Sequence, residues 1–265
     1  MIPRVIHYCW FGGNPLPELA QKCIASWKKY CPNYEIKEWN ESNFDLNACE
    51  YVKEAYDAKK WAFVSDYARL DIIYHNGGIY LDTDVELIKP LDEFLDVPAF
   101  FGAESTGFVN TGLGFGAEKE NKEVKCMLSE YKAIRFKKDD GTYDTTPCPR
   151  RNTKPFEEEG YRFSAKEIWK TQYAIVFPPE YFCPIDYRTG KMMITDKTCS
   201  IHHYSASWLS DEERYHDELT QEIARLFPKV SHKICSLIAQ AVSVAKFKGI
   251  KSVLTEVCGW IKRQV

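Results

Sequence analysis

The stretch from Trp61 to Lys89, WAFVSDYARLDIIYHNGGIYLDTDVELIK, decides how the rest of this chain reads. Phe63, Val64, Leu70, Ile72 and Ile73 mark a largely buried amphipathic helix, and Asp66 and Arg69, three residues apart, share one of its faces. Gly77 and Gly78 supply the positive-φ backbone that ends a helix and opens a tight turn. Ile79-Tyr80-Leu81 then reads as a short buried strand, and Asp82-Thr83-Asp84 falls where that strand ends. Ligands of open α/β sheets bind beyond the carboxyl ends of the strands. Two acids one residue apart at such a place suit a hard divalent cation, which in turn binds phosphate oxygens.

Upstream, residues 2–9 read as a first buried strand, 18–30 as a helix, 34–39 as an alternating strand and 47–59 as another helix. With the central stretch this makes a run of βαβ units, the pattern of an α/β fold with a mostly parallel sheet. Downstream the pattern predicts a strand near 99–104, a glycine-rich loop at 108–116 and a helix over 121–136. Residues 137–160 show no periodicity and read as a long loop. Short strands are expected at 174–178, 182–186 and 199–203, then a helix over 211–227 capped by Ser210. Pro228 ends that helix, so the expected division is a catalytic domain over 1–228 and a helical tail over 229–265, interrupted near Gly249.

The 265 residues are 45% hydrophobic and 14% aromatic, enough for a substantial core. A formal charge of −3 gives no reason to expect a nucleic-acid partner, but the charge is unevenly spread. Residues 229–265 carry seven Lys/Arg against one Glu, a balance of +6 against −9 for residues 1–228. The tail's apolar face and lysines suit either a helical hairpin on the core or an interfacial helix drawn to anionic lipid. Ten cysteines are scattered without any CxxC, which fits buried free thiols in a reducing compartment. The amino-terminal apolar run is too short for a secretion signal, and no segment has the roughly 18 apolar residues of a spanning helix. The expected location is the cytoplasm, with the inner face of the membrane as a peripheral station.

Each candidate residue has an ordinary explanation beside the chemical one. Acidic triplets arise as solvated turns, but the buried flanks of Asp82 and Asp84 favour a functional placement. YLDTDV also fits the strand end of haloacid-dehalogenase-type phosphatases, with Asp82 as nucleophile and Asp84 as acid/base. That motif sits on the first strand of its domain, whereas here two βα units precede it. Asp66 and Arg69 are either a surface ion pair or a buried pair with donors left for a sugar hydroxyl or phosphate oxygen. Trp10 is either a core aromatic or a stacking surface for a base. Of His202 and His203, strand alternation turns only one toward the core side, where an imidazole can complete a carboxylate-bound Mn²⁺ site. Asn110 is a turn former in its glycine-rich loop.

Together, IPRVIHYCWFGG, WAFVSDYARLDIIYHNGGIYLDTDV and IHHYSASW resemble the DXD-motif sugar transferases. These are the bacterial capsular and exopolysaccharide glycosyltransferases and the fungal Golgi α-mannosyltransferases, more distantly the clostridial glucosylating toxins. The resemblance covers roughly residues 1–210 and implies a GT-A type, Rossmann-like nucleotide-sugar-binding fold, here with a C-terminal helical extension. It implies a retaining hexosyltransferase dependent on Mn²⁺ or Mg²⁺. The partners would be a nucleotide-sugar donor, with a UDP-sugar favoured over GDP-mannose, and a glycan or lipid-linked glycan acceptor of a capsule, lipopolysaccharide or other surface glycan. By the same resemblance Cys9 and Trp10 flank the base, Tyr80 lines the nucleotide pocket, and Asp66 and Arg69 bind the donor sugar. Asp84 ligates the metal, Asp82 reaches it through water, and His203, or alternatively His202, completes its shell. Asn110 touches the transferred sugar, while Ser207 and Trp208 approach the β-phosphate. A non-catalytic nucleotide-sugar-binding module is the remaining alternative, beside the phosphatase.

Overall fold

Apolar residues of the segment Glu18–Tyr30 recur at Ala20, Cys23, Ile24 and Trp27, and this segment is helix α1. Glu18 in its first turn and Lys28 and Lys29 in its last complement the helix dipole. It joins strand β1 (Val5–Cys9) to strand β2 (Glu35–Trp39), which pair in parallel as a βαβ unit. Helices α2 (Glu50–Asp57) and α3 (Trp61–Asn76) lead to β3 (Gly78–Tyr80), parallel to β1 on its other side. The computed structural model describes residues 1–205, 210–250 and 252–253.

The chain goes on through β4 (Val85–Leu87), β5 (Ala99–Gly102), β6 (Phe115–Ala117), α4 (Lys122–Lys132) and α5 (Cys148–Glu158). Then come β7 (Trp169–Lys170), β8 (Ile175–Phe177), the short helix α6 (Pro179–Phe182) and β9 (Ser200–His202). Seven strands form one sheet in the order β2-β1-β3-β6-β5-β8-β7, while β4 and β9 form a separate antiparallel ribbon. Strands β6 and β7 run against the other five, so the sheet is mostly parallel, as the βαβ pattern predicts. Both faces are covered. Tyr80 and Phe101 point into a cluster with α2, α3 and α4, and their neighbours Ile79 and Phe100 into a cluster with α1.

Two compact units result: Met1–Ile185 with Met193–Tyr204, and Asp186–Met192 with the residues from Ser205 onward. The second contains α7 (Asp211–Leu226), with a capping box at Ser210 and Glu213, and α8 (His232–Lys248). Thus α7 packs with the tail helix α8 inside one unit.

Two sequence expectations are corrected. Residues 148–158 within the expected loop are helix α5, because Pro147 and Pro149 stand at its start, where a missing N–H costs nothing. Pro155 inside it hides the periodicity. The expected strand at 182–186 is not formed: helix α6, set by Pro178 and Pro179, ends at Phe182, and residues 183–186 follow without a strand.

The start of β3 is held by a buried imidazole. Trp39 Nε1 donates to His7 Nδ1 at 3.0 Å, which leaves Nε2–H to donate to Gly77 O at 3.1 Å. Burial lowers the His7 pKa to about 4, against the opposing hydrogen bond to Gly77 O, so the ring is neutral. Gly77 and Gly78 have φ of 68° and 104°, and a Cβ on Gly78 would stand 2.8 Å from His7 Nε2 and 2.9 Å from Val5 O.

Gly78→Ala should therefore lower stability by about 3 kcal/mol or more, from the positive φ and the backbone clash together, read as a fall in denaturant midpoint. For His7 the folded pKa lies below the unfolded one, so its contribution is complete above the usual histidine range. It is lost as pH falls from about 6.5 towards 4. Urea unfolding at pH 7 and pH 5 should show this component shrink by about 2 kcal/mol in wild type relative to His7→Gln.

Candidate active site

β1 and β3 are parallel neighbours with His7 opposite Tyr80, so Cys9-Trp10 and Leu81-Asp82 emerge at the same edge of the sheet. Helix α3 lies against that edge and brings up Asp66 and Arg69. The Arg69 side chain is only 4% exposed, and its Nη2 lies 3.1 Å from Asp66 Oδ1 and 3.2 Å from Asp82 Oδ1. Its Nε donates to Ser65 O at 3.0 Å, and the guanidinium lies over the Tyr80 ring. Tyr80 Oη donates to Asp82 Oδ1 at 2.9 Å. The pair read from sequence is thus a buried bridge between α3 and the acidic turn.

Asp84 meets an imidazole from far along the chain. His202 Nε2 is 3.2 Å from Asp84 Oδ1. One ligand atom from each of Asp82, Asp84 and His202 can be chosen so that all lie within 4.8 Å of one another. His203, the first choice from sequence, is instead 2.9 Å from Glu86 Oε2. The cause is alternation: His202 shares the buried face of the ribbon with Val85 and Leu87, and His203 takes the other face with Glu86. Asp84 precedes β4, in a turn closed by Val85 N donating to Asp82 O, and so escapes that alternation.

Three observations fit this group to a divalent cation. Two carboxylates and an imidazole are the donors that Mn²⁺-like ions accept. His202 turns its Nε2 to the acids, 3.2 Å from Asp84 Oδ1, so a ring nitrogen is aimed where an ion would sit. Burial raises the pKa of Asp82 despite Arg69, and Asp84 raises it further, so a cation here would offset the cost of ionising it. Asp66 is pushed up to about 6, by burial first, against Arg69. Burial works against the imidazolium of His202, yet Asp84 raises its pKa above the usual value.

The Asn110 loop closes the other side. Asn110 Nδ2 donates to Glu104 Oε1 at 2.6 Å, and its Oδ1 accepts from Gly112 N at 2.7 Å. A Cβ on Gly112 would meet Asp82 Oδ2 at 2.5 Å, with Asn110 Oδ1 and Arg69 Nη1 just beyond. Helix α5 braces this loop: Asn152 Nδ2 donates to Thr111 Oγ1, and Val109 N to Thr153 Oγ1. Glu104, Gly112 and Asn152 were not singled out from sequence. Only the glycine-rich run around Gly112 carried a signal, and it reads first as a turn.

Cys9 is buried and its pKa is raised to about 12, so it is a packed thiol beside Arg69 and Tyr80. Trp10 is half-buried at the end of β1, its Nε1 donating to Asn14 O at 2.6 Å. Ser207 and Trp208 lie outside the described residues.

Residues 17–101 match a family model described as the glycosyltransferase sugar-binding region containing DXD motif. Uncharacterized glycosyltransferase L373 of Acanthamoeba polyphaga mimivirus is 34% identical over 113 residues, 39% of this chain and 43% of that protein. Inositol phosphoceramide mannosyltransferase 3 of Schizosaccharomyces pombe is 34% identical over 119 residues, 43% of this chain and 33% of that protein. The matches therefore span less than half the length of these relatives. Among solved structures, the PaToxG glycosyltransferase superposes over 60% of this chain and 70% of its own, at a TM-score of 0.46 and 18% identity. Asp66, Arg69, Tyr80, Asp82 and Asp84 all fall inside the matched region, and over residues 17–101 this chain is similar to the DXD-containing sugar-binding region of glycosyltransferases.

Proposed function

We propose that this protein is a divalent-metal-dependent, retaining hexosyltransferase that takes its sugar from a nucleotide-sugar and passes it to a glycan or lipid-linked glycan. The observation that carries the reading is the meeting of Asp82, Asp84 and His202 at the end of β3, beside a buried Arg69. The yeast relative's name supports mannose as the hexose, so GDP-mannose belongs in the assay beside the UDP-sugars.

Asp84 and His202 would hold the cation directly, with Asp82 close by or bridged through water. When bound, the cation supplies positive charge against the leaving diphosphate. Arg69 adds a fixed positive charge that no working pH removes, since its pKa is raised well above the ordinary value. Asp66 would offer a carboxylate to sugar hydroxyls, and Asn110, held by Glu104 and Gly112 N, would line the same donor-sugar site. Trp10 at the neighbouring strand end would carry the base. Arg69 and Tyr80 hold Asp82 through its Oδ1, which fixes the orientation of the carboxylate beside the cation site. Front-face transfer, with a donor phosphate oxygen taking the acceptor's proton, follows as the proposed course.

Asp84→Ala should lower Mn²⁺-dependent turnover of the nucleotide-sugar at least about a hundredfold, with an unchanged far-ultraviolet circular dichroism spectrum. Retained turnover would sink the metal reading. In thermal unfolding with Mn²⁺ titrated in, wild type and His203→Ala should both gain stability, and His202→Ala should not. An equal gain in all three would place the ion elsewhere.

A further inference from the structure

We propose that helix α8 is an interfacial helix that lays its outer face on an anionic lipid bilayer. The inference does not depend on the proposed chemistry. Cys235, Ala239, Ser243 and Val244 are the buried side of α8. The other side exposes Ile234 (50%), Ile238 (46%) and Val242 (41%), a branched aliphatic stripe at i, i+4, i+8. Leu226 and Phe227 before α8 and Ile250 after it are also exposed. A water-facing stripe of this kind marks a surface that is covered in use.

Charge decides what covers it. Helix α7, on which α8 packs, carries Asp211, Glu212, Glu213, Asp217, Glu218 and Glu222 against only Arg214 and Arg225. Its last turns aside, α7 is the acidic side of this hairpin. Glu212 holds Lys248 at 3.0 Å, and Tyr215 lies under Lys246 at 3.6 Å from its ring centre, so those two lysines lie on the α7 side. Lys229 and Lys233 are exposed at the amino-terminal end of the stripe, and Lys251, Lys262 and Arg263 follow in sequence with one glutamate. The outcome is a hairpin with one acidic helix and one apolar helix that carries lysine at the exposed amino-terminal end of its stripe. An anionic surface attracts the second and repels the first, which fixes the orientation as well as the binding. A protein groove would bury the stripe but give no reason for Lys229 and Lys233 at its exposed end.

The test is co-sedimentation of the full chain with phosphatidylcholine vesicles, with and without phosphatidylglycerol. Wild type should bind the anionic vesicles, lose most of that binding in high salt, and ignore the neutral ones. Because the stripe is exposed, Ile234→Ser/Ile238→Ser/Val242→Ser should keep the wild-type melting temperature while binding at least about tenfold more weakly. Lys229→Glu/Lys233→Glu should weaken binding with the stripe intact. Undiminished binding by the serine variant overturns the proposal, as does equal binding to neutral vesicles. Absence of vesicle binding together with a wild-type dimer that the serine variant dissolves, read by sedimentation velocity, overturns it in favour of a second copy of this chain.

Discussion

A guanidinium taken out of water must find its charge answered, and Arg69 is the point from which the candidate site is laid out. It is buried between Asp66 on its own helix and Asp82 beyond the next strand. Removing either partner from such a group typically costs about 3–5 kcal/mol, because the remaining charge stays buried and unanswered. The converse also holds. A well-packed apolar trio of the same volume is often as stable, so the arrangement is poorly explained as a stabilising device. The carboxylates gain little from it either, since Asp66 and Asp82 both end with raised pKa values. Charges kept in a costly place, at the edge where parallel strands end, support the proposed ligand role.

That cost explains which parts of the molecule are tight. Gly112 is small because three polar groups crowd the space its side chain would fill. Asn110 has its amide orientation fixed at both ends, by Glu104 and by Gly112 N. Helix α5 braces the loop through Asn152 and Thr153, both fully buried or nearly so. Each of these contacts limits rotamers around the acids, which is how a site is preorganised.

Local signals in the sequence carried much of the architecture. Helices α1 and α3 were legible because their apolar residues repeat at helical spacing, and β3 because two glycines and an acidic pair bracket it. Helix α5 was not, since prolines at its start and inside it look like breakers when read without the burial of Phe156 and Asn152. Glu104 and Asn152 were illegible for another reason. Their roles exist only through partners six and 41 residues away, and nothing local distinguishes them from surface residues. Asp66, Arg69, Asp82 and Asp84 lay within one helix–turn–strand unit, where spacing gave each pair and the family resemblance joined the two pairs.

The choice of imidazole shows why sequence reasoning stops at this site. His202 and His203 are adjacent, and the identity of the one that faces the acids rests on the register of a two-stranded ribbon whose strands are over a hundred residues apart. Glu86 settles that register from the outer face, where it takes both Lys22 at 3.1 Å and His203 at 2.9 Å. These partners hold the Glu86 carboxyl below its usual range in spite of partial burial. On the inner face Val85 and Leu87 are buried, and Trp27 Nε1 donates to Val85 O at 2.7 Å. A one-residue slip of β9 would exchange the two imidazoles and part His203 from Glu86, and a slip of β4 would expose Val85 and Leu87 and strand Glu86 against the core. The ionic outer face and the apolar inner face therefore reject the same error. It is their agreement, rather than any preference of histidine itself, that delivers His202 to Asp84.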